Sequence, residues 1–271
     1  MPLNESVSRA IDVINLVAGT GRPMTLAEIC RETGIPKTSA YGIIQTLIHK
    51  NVLETADENV KSFRLGLGLL ETTLAAISET DLLKAARPLL EELNELIGET
   101  ILFAVEDCGD MVFLDMLEGS AYLRATVKLG TRVRMHCTAI GKAVLAAFPE
   151  KLLLEYLNEG PLMALTPHTI TNRTELIRDL TITRERGYSL DCEENVEDVR
   201  CVGAPIYARG GKVIAGVSIS THTVRVDMDK LEYYGVLIHR TALKISRRMG
   251  YSDPDLYAKS ELAPEAAEAG R

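Results

Sequence analysis

Residues Thr25 to Pro36 carry boundary signals for two helices that are separated by a short turn. Thr25 and Glu28 form a capping-box pattern, in which the Thr25 hydroxyl accepts from the third helical amide and the Glu28 carboxylate reaches back to the Thr25 amide. Gly34 is typical of the residue that ends a helix. Pro36 suits the first turn of the next helix, because its missing N–H would have no helical partner there.

Another helix precedes this pair, and a hairpin follows it. Apolar residues recur at close to helical spacing over residues 8–18, and glycines and a proline then break the pattern. The helix after Pro36 extends to about Lys50, and strand candidates at 52–55 and 61–65 surround a turn-prone acidic cluster. This order of elements is that of a winged helix-turn-helix.

The remainder of the 271 residues favours a second domain. A Leu- and Ala-rich helical stretch over 66–97 contains Pro88, which is expected to bend or break it. The elements after it predict an α+β domain with a mixed or mostly antiparallel sheet flanked by helices. These elements are strands at 100–105, 111–117 and 122–127, helices at 138–148, 151–158 and 173–186, strands at 188–192, 199–207 and 212–221, and a closing helix at 227–249.

The helix after Pro36 has a polar face without a single acid, although the formal charge of the chain is -8. Seven acidic and seven basic residues balance over 1–66, so the excess negative charge lies beyond them. Such a face can donate to phosphates and read base edges in a major groove, and the alternatives are a solvated face or a protein contact. The expected DNA contacts are Thr25, Lys37, Thr38, Ser39, Tyr41, Gln45, Thr46, His49, Lys61 and Arg64.

A second candidate site combines a helix start with polar strand residues. Residues 130–146 run from a turn into a helix, and free amides around 138–142 would suit an anion, since a helix N-terminus carries unpaired donors. Ser218 and Ser220 are two residues apart and therefore share one face of their strand. Together with Asp191 and Cys201, such groups would orient a small molecule in an apolar cup.

Other functions for the same residues are a metal site and a catalytic site. His136, Asp191 and Cys201 are competent metal ligands, but their separation is not a ligand-spacing pattern, so neither a metal nor another cofactor is expected. The adjacency of His136 and Cys137 does not bring their side chains together, so no enzyme is expected. Structural roles also remain open: His136 as a cap or core residue, Cys201 as a buried side chain, and both serines as satisfied hydroxyls.

Composition limits the cellular setting. No uncharged apolar run approaches the roughly 20 residues that span a bilayer, and residues 1–10 lack the apolar segment of a secretory signal. The five cysteines are scattered without C-x-x-C pairs, which is typical of reduced thiols. We therefore expect a cytoplasmic protein without a membrane partner.

Several short motifs occur in order along the chain. They are Ile35-Pro36-Lys37-Thr38-Ser39, Phe63-Arg64-Leu65-Gly66, Ala86-Arg87-Pro88-Leu89, Gly98-Glu99-Thr100, the segment 130–146, Asp191-Cys192-Glu193-Glu194, and Val199-Arg200-Cys201-Val202-Gly203-Ala204-Pro205-Ile206. With these motifs the chain resembles the IclR family of bacterial transcriptional regulators.

The resemblance implies a domain plan and a ligand class. Residues 1–66 would form the winged helix-turn-helix, 67–80 a linker helix used for dimerisation, and 81–253 a GAF-like effector-binding domain. Residues 254–271 lie beyond this plan, and their Ala- and Glu-rich composition predicts a disordered tail. The effector would be a small organic acid, such as a keto, aromatic or sugar acid. Its implied contacts are Thr138, Ala139, Ile140, Gly141, Asp191, Cys201, Ser218 and Ser220.

Two positions depart from the family pattern. Gly42 stands where an arginine is usual, which removes one DNA contact and costs about 1 kcal/mol of helix stability relative to alanine. Tyr41 or Gln45 would then carry a larger share of operator binding. Asp198 stands where glycine is usual and would reshape the pocket rim.

The sequence thus predicts a homodimeric or homotetrameric regulator. Paired recognition helices would bind double-stranded DNA at a near-palindromic operator. The effector would change DNA affinity by its preference for one arrangement of the protein, typically about 1–3 kcal/mol. Whether binding represses or activates stays open.

Overall fold

A computed structural model describes residues 4–57, 60–69, 81–120 and 127–252. The chain divides into two compact units, Met1–Leu83 and Lys84–Arg271. The expected linker helix lies largely outside the described residues, as do the tail and nearly all of the strand predicted at 122–127. The elements of the first unit are α1 (Glu5–Thr20), β1 (Met24–Thr25), α2 (Leu26–Thr33), α3 (Lys37–His49), β2 (Leu53–Asp57) and β3 (Ser62–Leu65).

The first unit is a winged helix-turn-helix, as predicted. The Thr25–Glu28 capping box opens α2, and Gly34 in the left-handed conformation (φ 70°) ends it. The wing is an antiparallel sheet of order β1-β3-β2. Strand β1 was missed because two residues are too few to show a period, and its pairing with β3 is a tertiary contact.

A closed apolar core holds the three helices against the wing. The α1 helix begins earlier than predicted because the Asn4 side chain accepts from the Ser6 and Val7 amides and caps it. The core residues are buried on every helix and on all three strands. They are Val13, Val17, Met24, Ile29, Ile35, Ala40, Ile44, Leu47, Leu53 and Phe63.

The second unit contains one sheet and five helices in its described part. Helix α4 (Asp81–Ile97) opens it and continues through Pro88, so the expected bend or break at the proline does not interrupt the helix. Leu89, Leu90 and Leu93 are buried, and this packed face holds the helix where one backbone hydrogen bond is missing. The other elements are β4 (Thr100–Asp107), β5 (Asp110–Leu117), β6 (Arg132–Arg134), α5 (Ala139–Ala147), α6 (Glu150–Asn158), α7 (Arg173–Arg186), β7 (Ser189–Cys192), β8 (Val199–Tyr207), β9 (Val213–His222) and α8 (Met228–Arg248).

The six strands form one sheet of order β6-β5-β4-β9-β8-β7, in which every neighbouring pair is antiparallel. The α+β prediction is therefore confirmed. Strand β6 was not predicted, because three residues that pair with β5 leave no periodic signal. No helix in the described ranges is both long and apolar enough to cross a membrane.

Helix α5 lies directly on the sheet. All its residues from Ala139 to Ala146 are buried, as its nearly uniform apolar sequence requires. A Cβ placed on Gly203 of β8 would lie 2.6 Å from the carbonyl carbon of Ala139 and 2.8 Å from the Ile140 nitrogen. The first turn of α5 can rest on β8 only because this position has no side chain.

Candidate functional site

The polar face of α3 points to solvent. Ala40, Ile44 and Leu47 are buried against the first unit, which turns the opposite side of the helix outward. Seven residues predicted to contact DNA are all exposed there, namely Lys37, Thr38, Ser39, Tyr41, Gln45, Thr46 and His49. Within the unit that it belongs to, this face is free to enter a groove of the size of a helix.

The remaining predicted DNA contacts differ in their availability. Lys61 is exposed on the wing. Arg64 forms an ion pair with Glu54 on the neighbouring strand. The Thr25 hydroxyl lies 2.9 Å from Glu28 Oε2 in the capping box, where the Thr25 backbone bond and Arg22 lower the pKa of Glu28 to about 2. Thr25 therefore also has a structural role in opening α2.

The four polar strand residues predicted to bind the effector lie on one face of the sheet. Asp191 is the register partner of Cys201, and Cys201 is the partner of Ser220. Ser218, two residues before Ser220, is the partner of Gly203. Because Gly203 lies beneath the first turn of α5, the cluster faces that helix.

A hydrogen bond connects two members of this cluster, and another ties the neighbouring Ser189 to α5. Cys201 Sγ lies 3.4 Å from Ser220 Oγ. The Ser189 hydroxyl donates to the carbonyl of Ala139, which ties β7 to the start of α5. Ser218 and Ser220 are buried at 2% and 4% exposure, so any ligand that they bind is shielded from water.

The helix start offers fewer amides than the sequence predicted. The Thr138 side chain caps α5 by accepting from the Gly141 amide at 3.2 Å, and the Lys142 amide bonds to the Thr138 carbonyl at 2.9 Å. Two of the amides expected to be free are thus engaged within the helix. The amides of Ala139 and Ile140 occupy the first two helical positions, which precede the intrahelical pattern.

Asp191 is buried at 2% exposure and accepts from the Glu194 amide at 2.8 Å. Burial raises the pKa of Asp191 to about 7, and the charge on Glu194 adds to this effect. A carboxyl with this pKa is partly protonated near neutrality, so it can donate a hydrogen bond as well as accept one.

Lys142, Glu194 and Asp179 were missed in the sequence analysis. The Lys142 side chain is only 1% exposed, and its Nζ lies 3.1 Å from Asp179 Oδ2 and also contacts Glu194. Burial opposes the charge, but the two carboxylates raise the pKa of Lys142. The available signal was a lysine in the middle of an otherwise apolar helix, because such a lysine needs buried acidic partners.

His136 and the neighbouring thiols show no catalytic arrangement. His136 Nε2 lies 2.9 Å from the Met163 carbonyl, and burial lowers the pKa of the ring. Burial raises the pKa of Cys137 to about 12 and also raises that of Cys201, so both thiols are poor nucleophiles. In the part of the chain that the structure describes, no group of three His, Cys, Asp or Glu residues could hold a metal ion.

A winged helix-turn-helix with an exposed polar recognition helix, joined to an α+β unit with an inward polar cluster, defines a regulator with separate DNA-reading and sensing parts. The IclR helix-turn-helix domain model matches residues 6–57. The model of the bacterial transcriptional regulator IclR C-terminal domain matches residues 74–247. The chain belongs to the IclR family of DNA-binding transcriptional regulators, whose C-terminal domains bind effectors.

Known relatives agree over nearly the full length. The regulator XynR of Escherichia coli is 32% identical over 251 residues, which cover 93% of this chain and 99% of XynR. The crystal structure of the Thermotoga maritima IclR protein is 31% identical, with a TM-score of 0.77 and coverage of 90% of this chain and 98% of that one. Because the families and relatives are regulators, the prediction that the protein is not an enzyme is confirmed.

A third likeness concerns the fold. An IclR homologue from Microbacterium hydrocarbonoxydans, crystallised in complex with 4-hydroxybenzoate, has a TM-score of 0.79. It is 22% identical and covers 92% of this chain and 100% of that chain.

Proposed function

We propose that a small organic acid binds beside the first turn of α5, against the polar cluster of Asp191, Cys201, Ser218 and Ser220, and thereby controls DNA binding. The observation that carries this proposal is the strand register, which collects the four side chains on the face that α5 covers. The homologue from Microbacterium hydrocarbonoxydans was crystallised with an aromatic acid, 4-hydroxybenzoate, which supports an organic acid as the ligand.

The chemistry of the site favours a carboxylate. The amides of Ala139 and Ile140 lie at the positive end of the helix dipole, where an anion is stabilised. The serine hydroxyls and a protonated Asp191 supply further donors. Leu102, the register neighbour of Ser218 on β4, offers an apolar wall for the ligand body.

The DNA-binding proposal rests on the exposed face of α3. The protein would act in the cytoplasm as a homodimer or homotetramer, because one recognition helix contacts only one half-site. Two recognition helices would enter successive major grooves roughly 34 Å apart, so the operator would be a near-palindrome. We retain the domain plan in which residues 1–66 bind DNA, 67–80 take part in dimerisation and 81–253 bind the effector.

Replacing Gln45 with alanine is expected to weaken operator binding by roughly 10- to 100-fold, because an amide that reads a base contributes about 1–3 kcal/mol of discrimination. Binding to random DNA should stay within about twofold of wild type, since non-specific affinity comes from phosphate contacts. The measurement is a gel-shift titration at fixed salt, with an operator selected from a random library.

Lys37→Ala is the matched control on the same helix. If Lys37 contacts a phosphate, its loss should weaken binding to both DNA sequences by a similar factor and reduce the salt dependence of binding. If Gln45→Ala also weakens both sequences equally, Gln45 does not read bases and this role for the α3 face is wrong.

Ser218→Ala and Ser220→Ala are each expected to weaken acid binding by roughly 10-fold or more, since a hydrogen bond to a charged group contributes about 1.5–3 kcal/mol. DNA affinity without the acid should stay near wild type. Calorimetric titration with pyruvate and 4-hydroxybenzoate, preceded by a thermal-shift screen of organic acids, measures the effect.

Ser246→Ala is a control for buried hydroxyls in general. Ser246 on α8 accepts from the Tyr207 amide at 2.9 Å and donates to the Ala242 carbonyl at 2.7 Å. Tyr207 lies at the end of β8 that is farther from Cys201. It should lower stability without changing acid affinity. Unchanged binding curves for both Ser218→Ala and Ser220→Ala would remove these hydroxyls from the site.

A further inference from the structure

An ion cluster that is buried at Lys142 and Glu194 lies next to the proposed effector site. Its members are Lys142 on α5, Asp179 on α7 and Glu194 in the β7–β8 loop. Lys142 is 1% exposed, and the Glu194 side chain is 7% exposed. A buried charge is tolerated only where partners hold it in a fixed geometry, so the cluster locks these three elements together.

Glu194 transmits this lock to the effector site. Its side chain contacts Lys142, while its backbone amide donates to Asp191 Oδ1 at 2.8 Å. Its carbonyl accepts from the Thr169 hydroxyl at 2.6 Å. Glu194 is therefore held through its side chain, its amide and its carbonyl, and these three contacts together fix the amide that orients Asp191.

We propose that the ion cluster of Lys142, Glu194 and Asp179 positions Asp191 against the first turn of α5 and so determines effector affinity. The inference deepens the proposed function and rests on it. Lys142 and Glu194 are positioning residues, because they act on the ligand through Asp191 and through the helix rather than by touching it.

The surroundings of Asp191 make effector affinity depend on pH. Lys142 and Glu194 are its charged neighbours. The thiols of Cys137, Cys192 and Cys201 also lie near it, and they stay neutral because burial raises their pKa values. Since burial raises the pKa of Asp191 to about 7, a carboxylate ligand meets a donor below this pH and a negative charge above it. Affinity for an acid should therefore fall as pH rises through 7.

The test compares wild type with Lys142→Met and Lys142→Arg by calorimetric titration with pyruvate and 4-hydroxybenzoate. For wild type, affinity should fall roughly 10-fold between about pH 6 and about pH 8. At about pH 6, where Asp191 is mostly protonated in both proteins, Lys142→Met should weaken binding at least about 10-fold. It should also shift the midpoint of the pH profile upward, because Lys142 lowers the pKa of Asp191. Lys142→Arg should restore part of the acid affinity and reverse part of the shift in the pH midpoint.

A double variant guards against simple misfolding. Lys142→Met with Glu194→Gln removes both charges of the contacting pair, and it should recover stability without recovering wild-type affinity. If Lys142→Met only lowers stability and keeps the acid affinity and pH profile of wild type, the cluster is a structural ion pair and the inference is wrong.

Failure of the proposed function has a different signature. If the wild-type protein binds none of the acids, the proposed effector function fails. The positioning role of the ion cluster is then tested by two measurements on the protein without ligand. Hydrogen exchange at the Glu194 amide and the NMR titration of the Asp191 carboxyl should both change in Lys142→Met. Unchanged values for both would overturn the inference.

Discussion

Replacing Gly203 with alanine is expected to destabilise the second unit by about 3 kcal/mol and to abolish acid binding. The added Cβ would lie 2.6 Å from both the carbonyl carbon and the oxygen of Ala139. These are backbone atoms, which cannot move aside by changing a rotamer, so the first turn of α5 must lift away from β8. Overpacking of this kind typically costs about 1–3 kcal/mol and sometimes more.

Thermal unfolding measures the effect, with an expected fall in melting temperature of roughly 6–12 °C. Gly160→Ala is the control in the same unit, because a Cβ there meets nothing within 4 Å. It should leave stability unchanged or raise it by up to about 1 kcal/mol. Equal melting temperatures for Gly203→Ala and Gly160→Ala would show that α5 does not rest on β8 as closely as described.

The winged helix-turn-helix could be predicted because its boundary signals are local. The Thr25 cap, the glycine at position 34 and the apolar face of α3 each act within a few residues of themselves. Strand β1 escaped prediction because its only determinant is the partner strand β3, which lies far along the chain.

The polar cluster was only half predictable. The spacing of Ser218 and Ser220 puts them on one face of any strand. That Asp191 is opposite Cys201, and Cys201 opposite Ser220, depends on strand register, which no local pattern specifies.

The ion cluster shows most clearly what cannot be predicted from the sequence alone. Lys142 was visible as a charge inside an apolar helix, but its partners come from α7 and from the loop after β7. A sequence pattern shows that a buried charge needs acids, whereas only the tertiary structure shows which acids reach it. Similarly, the engaged amides of Gly141 and Lys142 follow from the Thr138 cap and its helix, so counting the residues at a helix start overestimates the donors available.

Asp191→Asn is expected to remove a pH-dependent loss of stability. Burial raises the folded-state pKa of Asp191 from 3.8 to about 7. Between about pH 4 and pH 7 the folded protein therefore keeps a proton on Asp191 that the unfolded chain has already released. The free energy of unfolding therefore falls as pH rises through this window. At about 1.4 kcal/mol per pH unit, Asp191 lowers the free energy of unfolding by about 4 kcal/mol at pH 8.

Asparagine keeps the oxygen that accepts from the Glu194 amide but has no proton to lose, so the variant should be more stable than wild type at pH 8 and similar to it at about pH 4. Urea unfolding of both proteins at several pH values measures this difference. Asp229→Asn, at an exposed position on α8, should keep the wild-type pH dependence. If Asp191→Asn shows the same slope as wild type, Asp191 is ionised throughout, and its proposed role as a donor to an acidic effector fails with it.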